Sequence, residues 1–342
     1  MRVILHIGTE KTGTSTIQRF LQINSLLLAE MGVLIPNSPY GSMPSHRKLP
    51  AYARNPALPL DDVQLQVIPS EKDRLTFYKT FEEEFFNECC QSGYHTVILS
   101  SEHCSSRLKT QEDISRLKAL LDRIGKTQIL IYLRRQDQLL LSSYATAVRL
   151  GDTRPLTLPC SDEEKERFRY RKLIIRWAAE FGRDNMIVRV FSPPRFKNGD
   201  LVHDFFDAID LEIPKSAQNV LDENKSIDAK MLEFLRLFNN FLPHMGVHTG
   251  FKPDPRQGNI ISILDNISKG DKLLLPTDQV RNFLREFEEG NRWIAREFFN
   301  IENDNLFESA EEMSTLGNLP ALDLNDAFQI FAEIWAAANS RT

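Results

Sequence analysis

Cysteine is scarce in this chain, and its scarcity narrows the classes of protein that the sequence allows. Four cysteines occur in 342 residues, and no two of them have the C-x-x-C spacing. So few cysteines at these spacings neither staple a chain of this length nor form the usual kind of zinc site. The sequence therefore argues against a disulfide framework and against a metal site.

Long apolar runs are also missing. Apolar runs such as residues 3–5, 129–131 and 139–141 are short, whereas a membrane-spanning helix needs about 20 apolar residues. Residues 1–8 are too short for the apolar core of a signal peptide and lead directly into a glycine-containing loop. We therefore expect a cytoplasmic protein with no integral membrane segment.

The chain has no excess of positive charge. Lysine and arginine number 42, aspartate and glutamate number 47, and the formal net charge is −5. A mildly acidic protein has no broad basic face with which to bind nucleic acid, although a local basic pocket for a small anion is compatible with this balance. We expect no nucleic-acid partner.

The first half of the sequence alternates between strand and helix patterns. The apolar residues of the predicted strands come in runs rather than in alternation, which is typical of parallel strands covered on both faces. The pattern predicts an α/β fold, a parallel sheet of about five strands flanked by helices. The predicted strands are residues 2–7, 33–36, 96–100, 128–133 and 186–191, and the predicted helices between them are 15–31, 71–92, 111–124, 136–150 and 162–182.

Strand patterns end near residue 192, and helical patterns follow. We expect a core over residues 1–210 and a helical C-terminal extension over residues 211–342 that packs on it, together forming one structural domain. Residues 37–70 are rich in Pro, Asn and Ser and are expected to be mostly loop. The predicted helices of the later region are residues 198–209, 226–242, 277–299 and 324–338.

The segment between the first predicted strand and the first predicted helix has the composition of an anion site. A helix N-terminus offers unpaired backbone N–H groups and a favourable dipole, both of which attract phosphate or sulfate. Hydroxyl groups add further donors and a lysine adds a full charge. The candidate anion-binding residues are Lys11, Thr12, Gly13, Thr14, Ser15 and Thr16.

This segment differs from the nucleotide-triphosphate loop G-x-x-x-x-G-K-[ST] at one decisive position. Gly8 and Gly13 have the required spacing, but Thr14 stands where that loop has lysine, and Lys11 lies inside the loop instead. The pattern K-T-G-T-S resembles the 5′-phosphosulfate loop of sulfotransferases, which use 3′-phosphoadenosine-5′-phosphosulfate (PAPS) as sulfuryl donor.

The resemblance implies a second site, for the 3′-phosphate of PAPS. In that family an arginine at a strand end and a serine eight residues later form it, and here Arg134 and Ser142 have this spacing. Arg135 and Ser143 have the same spacing. We prefer Arg134 because it directly follows the apolar strand. A guanidinium group binds phosphate with two parallel hydrogen bonds, and the serine adds a donor.

Together, H-I-G-T-E-K-T-G-T-S-T and L-R-R-Q-D resemble the cytosolic, bacterial-type branch of the PAPS-dependent sulfotransferase family. The resemblance covers about residues 3–210. It implies a parallel α/β fold related to that of the nucleoside-triphosphate hydrolases and kinases.

The base that accepts the acceptor's proton is expected after the third strand, since α/β sheets place ligands and chemistry at the C-terminal ends of their strands. The resemblance implies a Glu or a His at this place. Both occur here, as Glu102 and His103, and we prefer Glu102. Lys11 is the natural group to stabilise charge on the bridging oxygen of the departing nucleotide.

The expected function is metal-independent sulfuryl transfer from PAPS to a hydroxyl or amine of a carbohydrate or small metabolite, with 3′,5′-adenosine bisphosphate as product. The alternatives are a kinase that uses Mg-nucleotide on the same scaffold and a non-catalytic nucleotide-binding protein. No motif identifies the acceptor or an oligomeric state.

Several further residues have weaker patterns. His6 and His46 suit either a structural role or a place near the acceptor. Lys252 and Arg256 lie in the loop-like basic segment 251–258, and the resemblance implies a late basic loop over the nucleotide. The tryptophans fall on helical patterns and are expected in the core; they are Trp177, Trp293 and Trp335.

Overall fold

The structure is a computed structural model. It describes residues 1–41, 44–91, 93–220, 227–246, 255–302, 306–307, 317 and 321–339.

Five strands of the described residues form one parallel sheet in the order β2-β3-β1-β4-β5. The central strand is buried along Val3–His6, which agrees with its continuous apolar run, because helices cover both faces of a parallel sheet. The predicted fold class and all five predicted strands are confirmed. Their bounds are β1 (Arg2–His6), β2 (Val33–Leu34), β3 (Thr96–Ser100), β4 (Lys126–Leu133) and β5 (Met186–Val190).

The register brings the C-terminal ends of the three central strands together. His6 of β1 pairs with Ser100 of β3 and with Leu130 of β4. β4 continues to Leu133, three residues beyond the partner of His6. The chain that leaves β1 therefore runs beside the last residues of β4. The loops after β1, β3 and β4 consequently start from neighbouring positions.

Helices connect the strands and make up the later part of the chain. Their bounds are α1 (Thr14–Ile23), α2 (Ser25–Glu30), α3 (Lys48–Ala53), α4 (Arg74–Cys89), α5 (His103–Arg107), α6 (Gln111–Asp122), α7 (Gln136–Arg149), α8 (Asp162–Lys165), α9 (Tyr170–Phe181), α10 (Leu201–Ala208), α11 (Ala229–Asn239), α12 (Pro255–Ile267), α13 (Thr277–Arg285), α14 (Glu288–Phe299) and α15 (Leu324–Asn339).

Three predicted helices are each interrupted. The prediction over residues 15–31 was wrong at Asn24, whose side-chain amide donates to the carbonyls of Phe20 and Gln218 and separates α1 from α2. The predictions over 162–182 and 277–299 likewise span two helices each. The spacing of apolar residues alone does not reveal a side chain that donates to backbone carbonyls and so ends a helix.

The described part of residues 37–70 is mostly loop, as predicted, whereas the loop prediction over residues 255–258 was wrong. The segment 37–70 contains α3, whose residues Leu49, Ala51 and Ala53 are buried. Residues 255–258 of the predicted basic loop belong to α12, with Pro255 at the first helical position, where proline is tolerated. Residues 251–254, including Lys252, lie outside the described residues.

The chain divides into two compact units. The first comprises residues 1–135, 166–221 and 289–307 and holds the sheet. One of its apolar clusters packs α1 and α10 against the sheet through residues such as Ile17, Phe20 and Phe205. The second comprises residues 136–165, 222–288 and 308–342, and its described part is helical, so the expected helical C-terminal region is present.

The helices of the described residues include none with the length and apolarity needed to cross a membrane.

Trp177 is fully buried, as predicted, but Trp335 of α15 is 65% exposed, so its expected place in the core was wrong.

Candidate active site

The loops after β3, β1 and β4 meet at the C-terminal edge of the sheet. β1 is the central strand, with β3 on one side and β4 on the other. Parallel strands end at the same edge, and open α/β sheets bind their ligands there. The sheet order therefore brings together the first-unit segments that the sequence analysis selected, residues 8–16, 102–103 and 134–135.

The β1–α1 loop (residues 7–13) depends on its two glycines. Gly8 has φ +89° and Gly13 has φ +70°, a left-handed conformation that favours glycine. A Cβ atom on Gly8 would lie 2.9 Å from Cβ of Glu102, and one on Gly13 would lie 2.2 Å from Cδ2 of Leu201. Glycine is thus required at position 8 and favoured at position 13, and Glu102 packs directly against the backbone of this loop.

Hydrogen bonds along β4 hold the β1–α1 loop in place. The N–H of Tyr132 donates to the carbonyl of Gly8 at 2.6 Å, and the N–H of Thr9 donates to the carbonyl of Tyr132 at 2.9 Å. The buried hydroxyl of Thr12 donates to the carbonyl of Thr9 at 2.6 Å. The hydroxyl of Thr12 therefore stabilises the loop itself. The group that Thr12 can offer to an anion is its backbone N–H.

The same loop ends in a row of backbone donors. Within the residues that the structure describes, the N–H groups of residues 11–15 donate to no protein acceptor. Gly13 precedes α1 without a side-chain cap, so the first N–H groups of this helix retain their hydrogen-bonding capacity. Thr14 is buried, Ser15 is exposed and Thr16 is half-buried. The arrangement suits a tetrahedral anion.

Positive groups surround this loop. Arg134 Nη1 donates to the carbonyl of Lys11 at 2.9 Å, and its guanidinium carbon lies 5.4 Å from the ring centre of Phe191. Burial lowers the pKa of Lys11; the carboxylate of Glu10 opposes this effect, and the guanidinium of Arg167 adds to it. The charges of Arg134 and Arg167 thus act on Lys11 at this loop, together with the carboxylates of Glu10 and Glu102.

A group of polar side chains lies next to this loop, at the end of β3. We call it the acid cluster; its members are Glu10, Gln18, Ser45, Glu102 and His103. Gln18 Nε2 donates to Glu102 Oε2 at 2.6 Å, and Ser45 Oγ lies 3.5 Å from the same oxygen. The side chain of Glu102 is 15% exposed, which leaves it reachable from outside.

His103 lies between two carboxylates. Its Nε2 is 3.9 Å from Glu102 Oε1, and its Nδ1 is 4.0 Å from Glu10 Oε1. Burial lowers the pKa of His103, and both carboxylates oppose that effect. Glu10 also approaches Arg167 Nη2, at 3.5 Å. The two candidate bases, Glu102 and His103, thus belong to one cluster rather than to separate environments.

His6 and His46, the two further histidines considered from the sequence, are buried. His6 Nδ1 lies 2.9 Å from Ser100 Oγ, and His46 Nδ1 accepts from the backbone N–H of Ser100 at 3.0 Å. Burial lowers the pKa of each to about 3. Both therefore support the end of β3, and neither is exposed to a ligand.

The two sequence pairings for the second phosphate stay predictions. Arg134 and Arg135 belong to the first unit, whereas Ser142 and Ser143 lie on α7 of the second unit. Arg256 donates to the carbonyls of Met245 and Gly246, at 3.2 Å and 2.9 Å. Arg256 therefore has local partners within its own unit.

Sequence reasoning missed four of the residues at this edge: Glu10, Gln18, Ser45 and Arg167. Glu10 is part of the motif, but the sequence analysis assigns it no role. Ser45 lies in a segment expected to be loop, and Arg167 lies in a region of mixed charge. Only Gln18 had a usable signal, because it falls on the buried face of α1 beside Ile17 and Leu21.

No family model matches the chain. An uncharacterised protein of Archaeoglobus fulgidus is 26% identical over 211 residues, which are 60% of this chain and 55% of that protein. The chain thus spans about half the length of this curated relative.

Among solved structures, the chain is similar to a sulfotransferase from Alicyclobacillus acidocaldarius. The match has a TM-score of 0.39 and 17% identity, and covers 68% of this chain and 93% of that one.

Proposed function

We propose that this chain is a sulfotransferase that transfers a sulfuryl group from PAPS to a hydroxyl or amine of an acceptor. One observation carries the proposal: a loop with a lysine and with backbone N–H groups that donate to no described protein acceptor packs directly against the partly exposed carboxylate of Glu102, just after the neighbouring strand β3. A Cβ on Gly8 would lie 2.9 Å from Cβ of Glu102, so no side chain fits between these two parts. An anion binder and a proton acceptor are the two components that sulfuryl transfer needs.

In the proposed reaction the acceptor oxygen or nitrogen gives its proton to Glu102 and forms a bond to sulfur. The bond between sulfur and the bridging oxygen of the 5′-phosphate breaks. Its electron pair leaves with 3′,5′-adenosine bisphosphate. Lys11 lies in the donor loop, where its ammonium group would stabilise the charge that develops on the bridging oxygen. The acceptor class that we propose is a carbohydrate or small metabolite.

The donor would be held at two places. The N–H groups of residues 11–15 and the hydroxyls of Thr14, Ser15 and Thr16 would bind the 5′-phosphosulfate. Arg134 would bind the 3′-phosphate, and its pairing with Ser142 stays a prediction from the sequence resemblance. Because Arg134 also donates to the carbonyl of Lys11, binding at one place would affect the loop at the other.

A thermal melt with 3′,5′-adenosine bisphosphate, compared with ATP and magnesium, tests the donor site. A ligand at about 100 times its Kd stabilises the folded state by about 2.7 kcal/mol, which raises Tm by several degrees. We expect the bisphosphate to raise Tm without magnesium. A rise with Mg-ATP alone would favour a kinase, and no rise with either ligand would contradict a nucleotide site.

Turnover separates an enzyme from a binding protein. We expect release of 3′,5′-adenosine bisphosphate from PAPS, slowly with water as acceptor and faster with a suitable hydroxyl compound. Binding of the bisphosphate without any release from PAPS would contradict the enzymatic proposal and favour a non-catalytic nucleotide-binding protein.

A further inference from the structure

Gln18 is a polar residue on the buried face of α1. It is 4% exposed, and it lies one helical turn beyond Thr14, the first residue of the helix. A buried amide that makes no hydrogen bond destabilises the folded state. Its partners therefore decide whether Gln18 is a packing residue or part of the site.

Both N–H groups of the Gln18 amide point towards the end of β3. Nε2 donates to Glu102 Oε2 at 2.6 Å and to Ser100 Oγ at 3.3 Å. A carboxylate only accepts hydrogen bonds, so the amide nitrogen, and not its oxygen, has to face Glu102. The orientation of this amide is consequently fixed by Glu102.

A second hydrogen bond anchors the amide to the core. Ser100 Oγ accepts from Gln18 and lies 2.9 Å from Nδ1 of His6, which burial keeps neutral. The serine hydroxyl retains its proton and a second lone pair, so it donates to His6 Nδ1 or accepts from it according to the imidazole tautomer. The chain His6–Ser100–Gln18–Glu102 thus links the buried part of β1 to the candidate base.

We propose that Gln18 is a positioning residue for Glu102, an inference that rests on the proposed sulfuryl-transfer function. Its amide holds Oε2 and directs Oε1 to the acceptor as the oxygen that takes the proton. Because Gln18 belongs to the helix that begins in the donor loop, the same element holds the donor site and orients the base.

A double-mutant cycle tests this role, with release of 3′,5′-adenosine bisphosphate from PAPS and water as the measured reaction. The variants are Gln18→Leu, Glu102→Gln and the two combined, with Gln22→Leu on the exposed face of α1 as the matched control. Gln18→Asn keeps the amide but shortens it by one methylene, and it provides a milder change if Gln18→Leu does not fold. Affinity for the bisphosphate is measured for each protein.

We expect Gln18→Leu to lower turnover about 10- to 100-fold, since misplacing a reacting group by about 1 Å can have effects of this size. In the Glu102→Gln background the same change should lower turnover less than twofold, because the group it positions is gone. The affinity for the bisphosphate should stay within about twofold in every variant. Gln22→Leu should match the unaltered protein.

Equal losses from Gln18→Leu in both backgrounds would overturn the positioning role, because the amide would then act independently of Glu102. A loss of bisphosphate affinity that accounts for the whole effect would overturn it as well. If the unaltered protein neither binds the bisphosphate nor turns over PAPS, the proposed function itself fails. That result is distinct from normal turnover in Gln18→Leu, which refutes only the role of Gln18.

Discussion

The β1–α1 loop and the acid cluster share one edge of the sheet, yet they are built in different ways. The loop is a continuous segment whose shape follows from two glycines and from hydrogen bonds to β4. The acid cluster combines side chains from the loop itself, from α1, from the segment before α3 and from the end of β3. A continuous site can be read from a motif, whereas an assembled site emerges only when the sheet order is known.

The difference also separates two kinds of chemistry. In the proposed function the loop would act through backbone groups and a lysine, which are suited to holding a charged donor. The cluster would act through carboxylates and an imidazole, which are suited to moving a proton. Substitutions in the two regions should therefore change different measured quantities.

The largest effect is expected for Lys11→Ala. Loss of a positive group aimed at charge that develops in the transition state lowers kcat by about 10³-fold. Affinity for 3′,5′-adenosine bisphosphate should fall much less, because the backbone N–H groups remain. Initial rates of bisphosphate release, with calorimetric titration of the product, measure both quantities.

Lys126→Ala is the matched control for Lys11→Ala, because Lys126 is exposed at the start of β4, at the opposite edge of the sheet. It should leave kcat and bisphosphate affinity unchanged. Normal turnover in Lys11→Ala would show that the lysine has no part in stabilising the departing nucleotide.

A smaller effect is expected for Glu102→Gln. General-base catalysis contributes about 10²- to 10⁴-fold, and we expect about 10²-fold here because the partly exposed site lets water accept the proton. Bisphosphate affinity should be unchanged, in contrast to a substitution within the β1–α1 loop. Steady-state kinetics with PAPS give the comparison.

Glu10→Gln and His103→Gln are the controls that discriminate within the acid cluster. If Glu102 is the base, each of these should lower kcat less than Glu102→Gln does. A greater loss in His103→Gln would transfer the role of base to His103, which lies 3.9 Å from Glu102.

The same contrast shows how much of the molecule the sequence could predict. Continuous apolar runs predicted all five strands, because strands buried on both faces leave little ambiguity in pattern. The motif around Lys11 and Gly13 located the loop, because its residues are adjacent in sequence. Gln18 and Ser45 escaped notice because their partner, Glu102, is 84 and 57 positions away in the chain.

Some of the predicted helix bounds were wrong for a related reason. Asn24 ends α1 through hydrogen bonds that include the distant carbonyl of Gln218. α3 formed inside a segment with loop-like composition, where burial of Leu49 and Ala53 outweighs local propensity. Tertiary contacts of this kind have no signature in a window of neighbouring residues.

The smallest effect is expected for Thr12→Val, which separates the shape of the β1–α1 loop from its chemistry. Valine has nearly the same volume as threonine but cannot donate to the buried carbonyl of Thr9. An unsatisfied buried acceptor destabilises the fold by about 1–3 kcal/mol, which thermal or denaturant unfolding measures. Thr12→Ser keeps the hydroxyl and should recover most of this stability. Bisphosphate affinity should fall only as far as the loop shifts, because the N–H of residue 12 remains. If Thr12→Val instead abolished bisphosphate binding at unchanged stability, the hydroxyl would be a ligand group and the loop would act through side chains rather than through its backbone.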